Sequence, residues 1–321
     1  MTEPFNPTRG GLIQRLVQQD TLNFWLSNHV PRRLLTVWMG RLSRIENPWL
    51  ARLLIAGWRL FAPDLDLTEA RETRFRSLHE CFIRELEPGS RPIHPSPGSI
   101  SSPCDAMVMA AGNIQDTTLI QAKGLDYRLE ELLLDPQLAA RYRDGRYLTL
   151  RLKSTMYHRF HAPTRCRVHG VHYLAGDVWN VNPPTVRRLP KLYCRNERAV
   201  IDLDTLDFGP AITLVPVAAI LVASIRLHFL DVLLHLRYSG PNHIPCEAQL
   251  EKGEEMGYFQ HGSTIILLAT SRFRLAGGLA PGSLVKVGEP LLWDGDASAA
   301  DRSDTGSPSE QAPQSSPMLG A

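Results

Sequence analysis

The sequence predicts an α+β protein in which a helical N-terminal region precedes a mainly β domain with one or more inserted helices. Three observations indicate this fold class. Apolar residues recur at helical spacing early in the chain, alternating and β-branched runs dominate from about residue 100, and the last residues have almost nothing to bury. We therefore expect a helical region over 1–95, a β-rich domain over 96–293 and a disordered tail over 294–321.

The bulk composition is that of a soluble globular protein. Of the 321 residues 43% are hydrophobic, and the net charge of +2 gives no reason to expect nucleic acid as a partner. No apolar run reaches the roughly 18 residues of a spanning helix, and no secretory signal is visible. The five cysteines are scattered and form no Cys-x-x-Cys pair, which favours a reducing compartment over a disulfide framework or a thiolate zinc site.

The region from residue 22 to 62 is helical in pattern and rich in arginine. Apolar residues share one helical face: Leu50, Leu53, Leu54, Trp58 and Phe61. Between residues 31 and 62 a single acid, Glu46, accompanies six arginines: Arg32, Arg33, Arg41, Arg44, Arg52 and Arg59. Helices of this composition lie in a membrane interface, but packed core helices with solvated arginines have the same pattern. Both interpretations stay open at this point.

The remaining elements follow from local signals. A helix is expected over 68–86 because Thr68 is a plausible cap with Glu69 and Glu72 close behind, and another over 128–142. Alternating, aliphatic or β-branched runs predict strands at 147–152, 199–203, 264–269 and 283–287, and an apolar run at 211–227 broken by Pro216.

Three features are candidates for chemistry. Gly262-Ser263 enters an apolar strand, which is more often a simple turn. His158 and His161 share a face only in a helix, and no third ligand at a recognisable spacing favours a metal site. Asp105 lies in a turn, where an acid is usually a cap. Together they supply an acid, a histidine and a serine, which permits a nucleophilic triad without establishing one.

Over about residues 75–292 the sequence resembles the phosphatidylserine decarboxylase family, because five blocks occur in that family's order. They are 82–93 (FIRELEPGSRPI), 102–105 (SPCD), 121–124 (QAKG), 157–163 (YHRFHAP) with 180–182 (NVN) and 196–198 (NER), and 252–257 (KGEEMG) followed by 262–264 (GST). One block alone would be a weak signal. Five in register are specific.

The resemblance implies a lyase that makes its own pyruvoyl cofactor from Ser263 by breaking the chain between Gly262 and Ser263. Asp105 would orient His161, which would act as general base on the Ser263 hydroxyl. The pyruvoyl group would form a Schiff base with the amine of phosphatidylserine, carbon dioxide would leave, and phosphatidylethanolamine would be released. His158 would handle the returning proton or the departing carboxylate. No metal is implied.

The same resemblance implies partners. The large and small chains cut from one precursor would remain a heterodimer, which can dimerise further. The substrate is a lipid, which favours the membrane-interface interpretation of residues 22–62 and predicts a peripheral enzyme on the cytoplasmic face of a bacterial-type cell membrane.

Three other functions stay open from the residues alone. A non-catalytic lipid-binding protein would use the same β scaffold, and a serine hydrolase would use Ser263, His161 and Asp105 on an external ester. A metal-dependent enzyme would use His158 and His161.

Overall fold

The computed structural model describes residues 31–122, 124–220, 224–260 and 263–295. Two helices open the described chain, α1 over Arg32–Ser43 and α2 over Pro48–Phe61. Helix α2 begins where the Asn47 side chain accepts hydrogen bonds from the backbone N–H groups of Trp49 and Leu50. In the part of the chain that the structure covers, no helix has the length and apolarity needed to cross a membrane.

The helix predicted over 68–86 is wrong: only α3, over Leu78–Phe82, is helical there. Asp66 accepts hydrogen bonds from the backbone N–H and hydroxyl of Thr68, so the expected cap forms a turn instead. Ala70 then pairs with Leu86 across an isolated antiparallel bridge. The segment therefore folds back on itself and closes at its two ends.

The helix predicted over 128–142 is two short helices, α4 over Leu129–Leu133 and α5 over Pro136–Arg141. Leu134 adopts the left-handed conformation with φ of 52°, and Asp135 caps the helix that begins at Pro136. A proline at the first helical position starts a new helix but cannot continue the old one. Two further short helices are α6 over Pro183–Val186 and α7 over Leu192–Arg195.

Strands make up about half of the described chain from residue 99 onward and are its main regular structure, as expected. The first nine are β1 Ser99–Ser101, β2 Ala106–Asn113, β3 Thr118–Ala122, β4 Leu125–Arg128, β5 Arg146–Leu152, β6 Arg159–His161, β7 Cys166–Leu174, β8 Arg198–Thr205 and β9 Gly209–Val217. The others are β10 Ser224–Leu227, β11 Val232–His235, β12 His243–Leu250, β13 Glu255–Phe259, β14 Ser263–Ala269, β15 Phe273–Leu275, β16 Leu284–Val285 and β17 Pro290–Asp294. The predicted break at Pro216 is misplaced, because Pro216 lies inside β9 opposite Ile265 and the strand continues to Val217.

An antiparallel eight-stranded sheet of order β12-β7-β8-β9-β14-β5-β2-β16 forms the frame. One face packs against a four-stranded sheet of order β11-β10-β13-β6, and residues of both sheets form the main core cluster. The other face packs against the short helices α4 to α7, which contribute Leu129, Leu132, Leu138 and Leu192 to a second cluster. The α+β class with inserted helices therefore describes the fold from residue 31 onward.

The predicted regions at the two ends of the chain are only partly described. The first 30 residues of the helical region and the tail from residue 296 lie outside the described residues. Strand β17 includes Asp294, the first residue assigned to the tail. All five cysteines are free thiols.

Candidate active site

Residues of three sequence blocks meet at one end of the eight-stranded sheet. Ser263, the first residue of β14, pairs with Leu152, the last residue of β5. Strand β2 begins there directly after Asp105, and β8 begins directly after Glu197. Adjacent strands of a sheet lie about 4.8 Å apart, so this register gathers residues that are distant in the sequence.

Ser263 is completely buried at this sheet end. Strand alternation places its side chain on the same face as Ile265 and Leu267, which belong to the main core cluster. Among the described residues its hydroxyl has no hydrogen-bond partner. Leaving a buried hydroxyl without a partner costs free energy, which makes Ser263 a candidate for a functional role.

His158 lies just before β6 and is also completely buried. Its Nδ1 donates to the carbonyl oxygen of Met156 at 2.7 Å, which fixes the tautomer and leaves Nε2 with a lone pair. Burial lowers the pKa of His158 to about 3, so the ring is neutral at physiological pH. Nε2 has no partner among the described residues and is a free base in a dry environment.

His161 ends β6, and both of its ring nitrogens are engaged. Nδ1 donates to the carbonyl oxygen of Gly253 at 2.9 Å, and Nε2 accepts from the Tyr157 hydroxyl at 3.1 Å. Burial lowers the pKa of His161, against the opposing influence of the Gly253 carbonyl and of the negative charges of Glu255 and Asp105. The neutral ring therefore presents Nε2 as its basic atom.

Asp105 does not hydrogen-bond to His161 in the described structure. Its carboxylate accepts from Arg91, with Nη2 at 2.6 Å and Nε at 2.9 Å, and from the backbone N–H of Val287 at 2.9 Å. The backbone of the two blocks is nevertheless in contact, because the N–H of His161 donates to the carbonyl oxygen of Pro103 at 2.8 Å. Asp105 thus lies near His161 as a charge, and Gly253 takes the expected orienting role.

Sequence reasoning missed three contributors to this site: Arg91, Tyr157 and Gly253. All three lie inside the blocks quoted above, which is the signal that could have found them. Gly253 has φ of +83°, and a Cβ there would meet Ile93 Cγ1 at 2.6 Å, so this position requires glycine. Its carbonyl is held where it can meet His161.

The residues next to the predicted cleavage bond are anchored on both sides. Gln260 Oε1 accepts from the Ser224 hydroxyl at 2.6 Å and from Arg44 Nη2 at 2.7 Å. Ser263 is fixed in the sheet. Gly262, the residue expected to lose its peptide bond, lies outside the described residues.

Helix α2 reaches the site through stacked rings. Trp58 stacks on Phe82 with ring centroids 5.4 Å apart, and Phe82 lies against His158 with centroids 4.2 Å apart. Trp58 therefore belongs to the inner face of α2, although its spacing grouped it with Leu53 and Phe61, which are exposed.

Among the described residues, no three His, Cys, Asp or Glu side chains lie where they could hold a metal ion. The candidate site thus contains a buried serine at a strand entrance and two neutral histidines whose Nε2 atoms carry lone pairs, groups that could act as nucleophile and general base.

Comparison with known proteins identifies the family. The family model described as phosphatidylserine decarboxylase matches residues 78–292. Relatives named phosphatidylserine decarboxylase proenzyme include one from Anaeromyxobacter sp. (strain K), 39% identical over 82% of this chain and 94% of the relative. A relative from Vibrio cholerae is 36% identical over 84% of this chain and 96% of the relative. One from Brevibacillus brevis is 33% identical over 83% of this chain and 95% of the relative. The chain belongs to the phosphatidylserine decarboxylase family. It is therefore a decarboxylase, a lyase, and the resemblance of the sequence blocks is confirmed.

Proposed function

We propose that this chain is a phosphatidylserine decarboxylase that cuts itself between Gly262 and Ser263 and turns Ser263 into a pyruvoyl group. The observation that carries the proposal is the buried hydroxyl of Ser263, which has no partner among the described residues and lies at the sheet end where Asp105 precedes β2. Family membership and the proenzyme names of the relatives support it.

Self-cleavage begins with the Ser263 hydroxyl attacking the carbonyl carbon of Gly262, with His161 taking the hydroxyl proton. The peptide bond is replaced by an ester. Elimination then releases the carboxylate of residue 262 and leaves dehydroalanine at 263, which water converts to pyruvoyl with loss of ammonia. A serine is suited to this role because it carries both the nucleophile and the leaving group on adjacent carbons.

The neutral state of His161 supports its assignment as the base. Its pKa is lowered by burial, and Gly253 holds the Nδ1 proton, so the lone pair is on Nε2. The Tyr157 hydroxyl now donates to that nitrogen. The hydrogen bond from the Tyr157 hydroxyl to Nε2 would therefore have to break before the Ser263 hydroxyl can transfer its proton to that nitrogen. Asp105 acts on this step through its charge, which favours the imidazolium that forms.

The residues around Ser263 fit a covalent group of this kind. Its side chain is in a dry environment, and the unpartnered Nε2 of His158 offers a base that the fold itself does not use. A pyruvoyl group at residue 263 would supply an electrophilic carbonyl that could take up the electron pair left by carbon dioxide. We assign to His158 the proton that returns to Cα of the lipid head group, because its neutral ring carries a lone pair on Nε2 that no described residue engages.

The two helices support an action at a membrane surface. Helix α1 and α2 expose large apolar side chains: Leu34, Trp38, Leu42, Trp49, Leu53, Leu60 and Phe61. Trp49 is 78% exposed and Leu60 72% exposed, which is unusual for soluble surfaces unless another phase covers them. We place the enzyme on the cytoplasmic face of a bacterial-type cell membrane, where its substrate lies, with the two product chains held together as a heterodimer. The hydrogen bonds between β14 and β5 join the two chains after cleavage.

The test is a Ser263→Ala substitution followed by a denaturing gel and a decarboxylation assay. The wild type should separate into two chains and release carbon dioxide from phosphatidylserine, and hydroxylamine should block it. The variant should remain one full-length band and be inactive. A wild-type chain that stays intact and reacts with a serine-directed phosphonate would instead indicate a hydrolase, and an intact chain that binds lipid without turnover would indicate a binding protein.

Flotation with anionic vesicles tests the membrane surface. A Trp49→Ser/Leu60→Ser variant should float less than the wild type because its apolar contact area is smaller. Equal flotation would remove this surface from the proposal.

A further inference from the structure

A pocket of about 230 Å³ lies between helix α1, the β10–β11 hairpin and Gln260. Its polar wall contains three arginines, Arg41 and Arg44 from α1 and Arg237 after β11. Among the described residues that line it there is no Asp or Glu, and none of the three arginines has a carboxylate partner in the described structure. The pocket therefore concentrates positive charge without an internal counterion.

The side chain of His235 shows the effect of this charge. Burial lowers the pKa of His235, and the nearby charges of Arg44 and Arg237 lower it further. The histidine is neutral, so the arginines alone define the charge of the wall. Arginine binds phosphate oxygens through paired N–H groups, and Arg41, Arg44 and Arg237 are all exposed, so a ligand from solution can reach them.

The pocket also lies close to the reacting residue. Gln260 lines it, and the side chain of Gln260 is held by Ser224 and Arg44. Two residues separate Gln260 from Ser263, so their Cα atoms are at most about 11 Å apart. On its other side the pocket is formed by α1, whose outer face carries the exposed Leu34 and Trp38. A group bound here would be between the apolar surface and the site of chemistry.

We propose that Arg41, Arg44 and Arg237 form the binding site for the phosphodiester of the lipid substrate. This inference rests on the proposed function, because it assigns the head group that the decarboxylase must hold. The phosphate is bound by the arginines while the serine amine reaches residue 263 and the acyl chains extend along α1 toward the membrane. The phosphate is present in both substrate and product, so the pocket contributes to binding rather than to the decarboxylation step.

The experiment compares an Arg41→Ala/Arg237→Ala variant with the wild type. Arg44 is left in place because it also holds Gln260. An Arg167→Ala/Arg195→Ala variant removes the same charge from exposed positions outside the pocket and serves as the control. Substrate is a short-chain phosphatidylserine below its critical micelle concentration, so that attraction to an anionic bilayer plays no part.

The pocket variant should cleave itself into two chains like the wild type and keep its kcat within about twofold, while KM rises at least tenfold. Glycerophosphoserine should inhibit the wild type competitively and the pocket variant much less, whereas the control variant should behave as the wild type. An unchanged KM, or a KM that rises only on anionic vesicles, overturns the assignment. Equal competition by inorganic phosphate would also overturn it, because the pocket would then bind a free anion. Failure of wild-type self-cleavage would instead contradict the proposed function, so the two outcomes are separate.

Discussion

The His161 imidazole donates from Nδ1 to the carbonyl oxygen of Gly253 at 2.9 Å, so a backbone group of the glycine fixes the tautomer of the proposed base. Gly253 is in the left-handed region and packs against Ile93. The Gly253 carbonyl, which is not ionisable, therefore determines that Nε2 is the basic nitrogen of His161.

A Gly253→Ala substitution should slow self-cleavage. The new Cβ would meet Ile93 Cγ1 at 2.6 Å, and the positive φ adds about 1 kcal/mol of strain, with overpacking costing a further 1–3 kcal/mol or so. The carbonyl would shift away from His161. Densitometry of precursor and products over time measures the rate, and thermal unfolding measures the stability.

Gly89→Ala is the matched control. Gly89 has φ of +85°, but no atom lies within 4 Å of the added Cβ. Gly89→Ala therefore introduces the backbone strain without the steric clash. Equal self-cleavage rates in the two variants would show that the hydrogen bond between Gly253 and His161 does not contribute to self-cleavage.

The two histidines should separate cleavage from turnover. His161→Ala should remain an uncut precursor because the proposed base is missing. His158→Ala should still give two chains, but its decarboxylation rate should fall by about 10²–10⁴-fold, the usual contribution of a positioned acid or base. A gel and a carbon dioxide assay on the same preparations check both points. Two chains from His161→Ala would remove it from the cleavage step.

Glu197 should make stability depend on pH. It is fully buried, neither carboxyl oxygen has a hydrogen-bond partner among the described residues, and the nearby Tyr173 hydroxyl donates to the His235 carbonyl oxygen instead. Burial raises the pKa of Glu197 from 4.5 to about 7. Between these values the folded protein keeps a proton that the unfolded chain has released, so the free energy of unfolding falls as pH rises.

Replacing Glu197 by Gln removes this dependence. The variant should exceed the wild type by roughly 3 kcal/mol at pH 8, and the difference should vanish near pH 4. Urea unfolding at a series of pH values gives the comparison. A difference that stays constant across the series would mean that the carboxyl is not neutral in the fold.

The sequence predicted the strands better than the helices. The predicted strands at 147–152 and 264–269 match β5 and β14. Strand β14 is buried at every position because both faces of the sheet are covered, and a continuous aliphatic, β-branched run is the sequence signal of such a strand. The helix predicted over 128–142 breaks at Leu134, and the signal for the break was Pro136, which begins the second helix. Local rules see the cap signal at Thr68, but not that the chain would fold back to pair Ala70 with Leu86.

The site residues were predicted by type but not by partner. Asp105, His158, His161 and Ser263 were all singled out. Ser263 and Asp105 do lie at one end of the eight-stranded sheet, and the histidine segment in the four-stranded sheet contacts the aspartate block through the His161 N–H and the Pro103 carbonyl oxygen. The sequence could not show that Asp105 would pair with Arg91 rather than with His161. Tertiary packing determines the hydrogen-bond partners of these polar groups, and the spacing of residues along the sequence does not predict them.

Intact mass measurement of the purified, active protein tests the central claim most directly. The account predicts two polypeptides, one ending at Gly262 and the other beginning at residue 263 with a blocked end lighter than a serine terminus by one ammonia. A single species with the mass of the uncut chain, in a preparation that decarboxylates phosphatidylserine, would contradict it.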